Sequence, residues 1–199
     1  YKVDIHIIVM RIILKFFFIL FLSSSISNAN DQLYYKIGYF DYKHETGGLL
    51  FNIKKVSNNT YNILSLGELT QIYEFTSIID KENQFSKGEE TKKREEYAVY
   101  LSSGLQKLIR LSENISLVPS FSVGLYESFD QGKDMGFPIE FKSEVELNLH
   151  LSKGSLFGVT YHHISNADIG DENPGSDSIL INFKSSFYIY EFKGLSQFW

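Results

Sequence analysis

The stretch Ile139-Glu140-Phe141-Lys142-Ser143-Glu144-Val145-Glu146-Leu147-Asn148-Leu149-His150-Leu151 decides the fold. Its odd positions, Ile139, Phe141, Ser143, Val145, Leu147, Leu149 and Leu151, are apolar but for one serine. Its even positions, Glu140, Lys142, Glu144, Glu146, Asn148 and His150, are all polar or charged. Side chains alternate across a strand with period two, so this is a strand with one apolar and one charged face. Two architectures use such a strand. A soluble sandwich turns the apolar face inward and the charges to water. A transmembrane barrel turns the apolar face to lipid and encloses the polar one. The run has the length that a tilted membrane strand requires, about 9–11 residues, which favours the barrel.

Outward from that strand the same alternation recurs. Strands are predicted near 33–43, 47–56, 60–80, 95–110, 115–128, 138–151, 155–166 and 177–190. Eight strands are enough to close a small outer-membrane barrel. Gly104 to Leu111 has a competing helical reading, because Leu105, Leu108 and Ile109 fall at helical spacing. The connections at 57–59, 112–114 and 152–154 are short, and those at 81–94, 129–137 and 167–176 are longer. Outer-membrane barrels pair short periplasmic turns with long external loops in this way. The connection near His44 to Thr46 is short and departs from the pattern. The mixed-sign run from Asp80 to Glu96 reads as a solvated loop, with contact to the phosphates of a surface glycolipid as the sharper alternative.

Composition agrees with a membrane barrel. Phe (17) and Tyr (13) are abundant, Pro is limited to 3, and there is no cysteine. A disulfide framework and a thiolate metal site are therefore absent. The formal charge of -5 argues against a general nucleic-acid binder. Near the start, Arg11 and Lys15 precede an apolar run from Phe16 to Leu22, followed by Ser27-Asn28-Ala29. That is the pattern of a secretory signal peptide with cleavage after Ala29. The predicted organisation is upstream read-through over 1–9, a signal peptide over 10–29 and one barrel domain over 30–199. Loss of residues 1–29 removes Lys2, Arg11 and Lys15 against Asp4, which leaves the mature chain more acidic.

The candidate site is Tyr161-His162-His163-Ile164-Ser165-Asn166-Ala167, answered by Asp177. His163 and Ser165 are two apart and share a face; Asp177 opens the next strand on the same parity. That face also carries Phe157, Val159, Tyr161, Ile179 and Ile181, so in a membrane barrel it meets lipid. Polar groups there are costly and usually functional. His163 as general base, Ser165 as nucleophile and Asp177 as the carboxylate that orients the imidazole make a serine esterase. Asn166 is the candidate oxyanion donor. A polar strand end followed by an Asn-Pro-Gly turn is the bland alternative. His162 points the other way and reads as an interior contact. Glu140, Glu144, Glu146, Lys142 and His150 are expected to form an internal ion-pair and hydrogen-bond network, since eight strands leave room only for side chains. No ligand spacing among them supports a metal site.

Residues 163–177 resemble the signature of the lipid A 3-O-deacylase (PagL-like) family, a His-x-Ser-Asn-(Ala/Gly) stretch followed at this separation by a carboxylate. Weaker similarity runs through Met135 to Leu151 and Leu117 to Tyr126. The resemblance implies an eight-stranded antiparallel outer-membrane barrel that removes the ester-linked acyl chain at position 3 of lipid A. It implies a triad on the lipid-facing exterior, no cofactor and no metal, and lipopolysaccharide of the Gram-negative outer leaflet as the partner. Carried over residue by residue, Ser165 is the nucleophile, His163 the base and Asn166 an oxyanion contributor. Asp177 stands where the family has Glu, which shortens the reach by about 1.5 Å; Asp171 and Glu172 are backup carboxylates. The other readings are a non-catalytic barrel with a structural or adhesive role and an outer-membrane phospholipid esterase. The chain ends in Phe198-Trp199, and the stretch from Glu191 is expected to lie against the periplasmic rim.

Overall fold

The structure, a computed structural model, describes residues 31–42, 48–81, 95–129, 133–151 and 154–184. The expected signal peptide, the loops around His44 to Thr46 and 82–94, and the C-terminal stretch from 185 lie outside them. Among the described residues nine strands appear: β1 (Gln32–Phe40), β2 (Gly48–Ile63), β3 (Gly67–Lys81), β4 (Glu95–Gln106), β5 (Ile109–Arg110), β6 (Ile115–Phe129), β7 (Ile139–His150), β8 (Leu156–Ser165) and β9 (Ser176–Lys184). They hydrogen-bond in the order β4-β3-β2-β1-β9-β8-β7-β6, and β4 pairs with β6 to close the ring. Each of these pairings is antiparallel. The result is a closed barrel, in which the described strands leave no unpaired sheet edge.

β4 and β5 are one strand in two pieces. Gln106 faces Ser120 and Ile109 faces Leu117, so the register against β6 is continuous across the gap. Pro119 stands in that gap. It has no N–H to offer the ladder, while its carbonyl still accepts Lys107 N–H at 2.9 Å. Counted this way the barrel has the expected eight strands. Residues 104–106 are extended as part of β4, so the helical reading of Gly104 to Leu111 does not apply.

One boundary differs from the sequence reading. Residues 57–59 are not a turn: β2 runs on to Ile63, and the register shifts between Val56 and Thr60. Asn58 N–H bonds the Asp31 carboxylate at 3.2 Å and Asn59 N–H bonds Ser57 Oγ at 3.2 Å. Turn-type residues here satisfy the backbone of a bulge. The turn itself lies at 64–66, closed by Leu66 N–H on Ile63 O at 2.9 Å and followed by Gly67 at φ 75°.

Burial alternates as the sequence predicts. On β7 the even residues from Glu140 to Asn148 are buried, while Ile139, Val145, Leu147 and Leu149 are exposed. Leu33, Ile37, Phe51, Phe121, Val159, Ile181 and Phe183 extend the exposed apolar belt around the ring. Tyr35 stacks on Phe183 with centroids 5.6 Å apart. Such a belt on a closed barrel is the surface that a hydrocarbon layer covers.

The lumen is filled in two layers. Near the end that carries the longer connections sits an apolar cluster that includes Phe40, Leu50, Ile78, Tyr100, Met135, Ile164 and Leu180. Below it lies the expected charge network. Lys36 Nζ is 2.6 Å from Glu144 and 2.7 Å from Glu146. Lys54 bonds Glu146, and Lys142 bonds both Glu74 and Glu144. Asn148, Asn182 and Thr160 continue the network by hydrogen bonds of 2.5–3.2 Å. Within this network three lysines face three glutamates, so its charges offset one another, as burial demands. Glu140, also expected there, is buried but makes no hydrogen bond or ion pair through its carboxylate among the described residues. His162 belongs here, fully buried with Nδ1 3.6 Å from Glu144. His150 bonds Ser116 Oγ at 2.7 Å and takes no part in a carboxylate cluster.

Candidate active site

The site lies on the outer wall where β8 leaves the membrane belt. Period two puts Phe157, Val159, Tyr161, His163 and Ser165 on the outward face of β8, and burial follows that parity. β9 brings Asp177 directly opposite His163, and β7 brings Ser143 opposite it on the other side. Phe141 faces Ser165 across the β7–β8 ladder and stacks on Phe121 at 6.0 Å. The polar row is therefore framed by apolar side chains.

His163 Nδ1 is 3.1 Å from Asp177 Oδ1. The His163 side chain is 44% exposed and that of Asp177 only 11%. The imidazole is thus open to a substrate while its carboxylate partner is shielded. With Nδ1 engaged, Nε2 is the nitrogen left for proton transfer. Gly175 backs the ring: at φ 58° it packs so closely that an added Cβ would stand 3.1 Å from His163 Cε1 and 3.7 Å from Nε2. Ser165 is half-buried on the same face, and its hydroxyl makes no hydrogen bond among the described residues. The Ser165–His163 hydrogen bond of a triad is therefore not formed here; catalytic hydrogen bonds often tighten only when substrate binds. Neither Asp171 nor Glu172 reaches His163 by a hydrogen bond or ion pair; both are exposed in the connecting loop.

Asn166 is placed differently from a free oxyanion donor. It is fully buried, and Nδ2 donates to Met135 O at 2.9 Å and to Glu172 O at 2.6 Å. Its Oδ1 accepts Asp168 N–H at 3.0 Å, and its own N–H bonds Asn173 Oδ1 at 3.1 Å. Both amide hydrogens are in use, so the side chain acts as the anchor of the β8–β9 loop. The following residues Ala167 and Asp168 turn through φ 54° and 59°.

Three features had no counterpart in the sequence reading. Tyr161 O–H donates to Asp177 Oδ1, the same oxygen that His163 approaches. Lys133 bonds Asp41 at 2.5 Å and also the carbonyl of Gly175, and so ties three connections together at this rim. Gly136, at φ 78°, lies against the Glu172 backbone, where a Cβ would come within 2.2 Å of the carbonyl oxygen. Tyr161 had a signal: it stands on the outward face of β8, one residue diagonal from Asp177. The other two are long-range contacts between loops and had none.

Residues 91–186 match the family described as Lipid A 3-O-deacylase (PagL). No curated protein sequence matches the chain. The fold is similar to the crystal structure of the outer membrane enzyme PagL, with a TM-score of 0.50 at 16% identity over 77% of this chain and 97% of that one. It is also similar to Neisserial surface protein A (NspA), with a TM-score of 0.52 at 10% identity over 79% of this chain and 96% of that one. At these identities the likeness concerns the fold alone. His163, Ser165 and Asp177 all fall inside the matched segment. The chain is an outer-membrane-type β-barrel that, over residues 91–186, is similar to the lipid A 3-O-deacylase (PagL) family.

Proposed function

We propose that this barrel resides in the outer membrane of a Gram-negative bacterium and hydrolyses the ester-linked 3-hydroxyacyl chain at position 3 of lipid A. The observation that carries the reading is the Asp177–His163 pair on the lipid-facing wall, beside Ser165, inside the segment that matches the family. Ionisable groups on the outward face beside the apolar belt are costly and usually functional. On this surface they meet a lipid in the outer leaflet without extracting it.

In the proposed reaction His163 Nε2 takes the Ser165 hydroxyl proton as Ser165 Oγ attacks the ester carbonyl. Asp177 holds the Nδ1–H tautomer and stabilises the imidazolium. The tetrahedral oxyanion needs a donor nearby. The Ala167 N–H, two residues past the nucleophile, donates to no acceptor among the described residues and is the proposed donor. Asn166 contributes by holding the loop in that shape. Collapse expels the sugar hydroxyl, protonated by His163, and water then releases the 3-hydroxy acid from Ser165. Phe141, Val145 and Ile179 supply apolar surface for the acyl chain.

Mass spectrometry of lipid A from Gram-negative cells that express the chain tests this reading, beside a Ser165→Ala control. The expected result is loss of one 3-hydroxyacyl mass with the serine and none without it, while both barrels keep heat-modifiable mobility. An unchanged lipid A profile with a folded barrel rejects the reading. Fatty-acid release from phospholipid would then identify a phospholipid esterase, and no release a non-catalytic barrel.

A further inference from the structure

We propose that Tyr161 is a positioning residue that acts through Asp177: its hydroxyl holds the short carboxylate against His163 Nδ1. The inference rests on the serine-esterase reading and adds a fourth residue to it.

The geometry is a consequence of strand register. Tyr161 faces Ile179 and His163 faces Asp177, so Tyr161 and Asp177 are diagonal neighbours on one face. Diagonal Cβ atoms lie about 7–8 Å apart, a span that long aromatic side chains bridge. Tyr161 bridges it, and its O–H donates to Asp177 Oδ1. The same oxygen stands 3.1 Å from His163 Nδ1. One carboxylate oxygen thus receives two donors from two successive outward positions of β8.

This arrangement meets two demands. An aspartate on a lipid-facing wall needs hydrogen-bond donors, because water is scarce and an ionised carboxylate is costly to desolvate. Its side chain is also short, one methylene less than the glutamate expected from the family. A second donor on the oxygen that faces His163 favours the rotamer that holds that oxygen toward the imidazole. The ring of Tyr161 is 40% exposed in the apolar belt. Phenylalanine retains that ring surface and loses only the hydroxyl, which makes Tyr161→Phe a clean probe.

The test uses the full chain folded in detergent micelles, with purified lipid A as substrate. For Tyr161→Phe the expected kcat is roughly tenfold lower, the scale of one charge-assisted hydrogen bond, with KM within about twofold. In an Asp177→Asn background the same change is expected to cost nothing further, because the residue it acts through is already gone. The second readout needs no activity. In ¹⁵N-histidine-labelled protein, with His163→Gln to assign the signal, wild type is expected to show the Nδ1–H tautomer at His163. Tyr161→Phe is expected to shift population toward Nε2–H. A kcat within twofold of wild type, a loss that adds to that of Asp177→Asn, or an unmoved tautomer overturns the proposal. A wild-type barrel with no esterase activity rejects the functional reading instead, and the tautomer measurement still decides the role of Tyr161.

Discussion

At the scale of single residues, the site depends on which carboxylate serves the imidazole. Asp177, Asp171 and Glu172 all follow Ser165 closely in sequence, but only Asp177 is brought opposite His163 by a strand pairing. On the proposed mechanism, Asp177→Asn removes the charge that would stabilise the imidazolium and offers an amide that favours the other tautomer. The expected loss in kcat is at least about a hundredfold, with KM little changed. Asp171→Asn is expected to stay within about twofold of wild type, since the exposed side chain touches nothing in the site. Acyl-release kinetics on the two variants check both, and equal losses would move the orienting role to the loop. The shared outward face of His163, Ser165 and Asp177 was legible, because all three share parity with apolar neighbours. The role of Asn166 was not. Its neighbour Ser165 suggested an oxyanion donor, whereas its partners are the carbonyls of Met135 and Glu172, the former on another loop.

At the scale of elements, the β8–β9 loop works as a rigid piece because the β6–β7 connection packs against it. Asn166 spans to Met135, Lys133 reaches Gly175, and Gly136 lies under the Glu172 carbonyl. Gly136 meets two constraints at once, a φ of 78° and a contact with no room for a methyl group. Gly136→Ala adds a left-handed penalty of about 1–2 kcal/mol and pushes the loop off its seat. The expected outcome is a severalfold lower kcat from displaced Gly175 and His163, with an unchanged barrel. Deacylation rates beside heat-modifiable mobility check it; a variant with full rate would show that the loop contact carries no function. β2 shows the limit of reading elements from residue type. Ser57-Asn58-Asn59 has turn composition, yet Asp31 and Ser57 satisfy its amides and the strand continues as a bulge.

At the scale of the whole molecule, the barrel holds opposite solvents on its two faces. Apolar side chains face outward, and Lys36, Lys54 and Lys142 meet Glu74, Glu144 and Glu146 inside. No water-filled channel is expected, since the apolar cluster lies above the charges and eight strands enclose only side chains. Lys36 approaches all three glutamates, with Glu74 at 3.6 Å. Lys36→Met therefore leaves buried carboxylates uncompensated and is expected to destabilise the barrel by roughly 3–5 kcal/mol. Denaturant unfolding in detergent measures this, and a midpoint equal to wild type would contradict the balanced-network account. The candidate site is on the outside of the wall, so the folded fraction of this variant is expected to match wild type in the proposed acyl-release assay.

The alternation in residues such as Ile139 to Leu151 determined by itself which side chains share a face, and strand length favoured a barrel with the apolar face toward lipid over a sandwich. It also determined that His163 and Ser165 stand together on the outer wall. Period-two patterning is local, and a local rule suffices to read it. Only the tertiary structure decided which residues meet across strands and between loops. Register depends on the stagger that closes the barrel and on the bulge after Val56, neither of which is written in alternation. That stagger sets Asp177 opposite His163, brings the Tyr161 hydroxyl to the same carboxylate, and seats Asn166 and Gly175 where the loops meet.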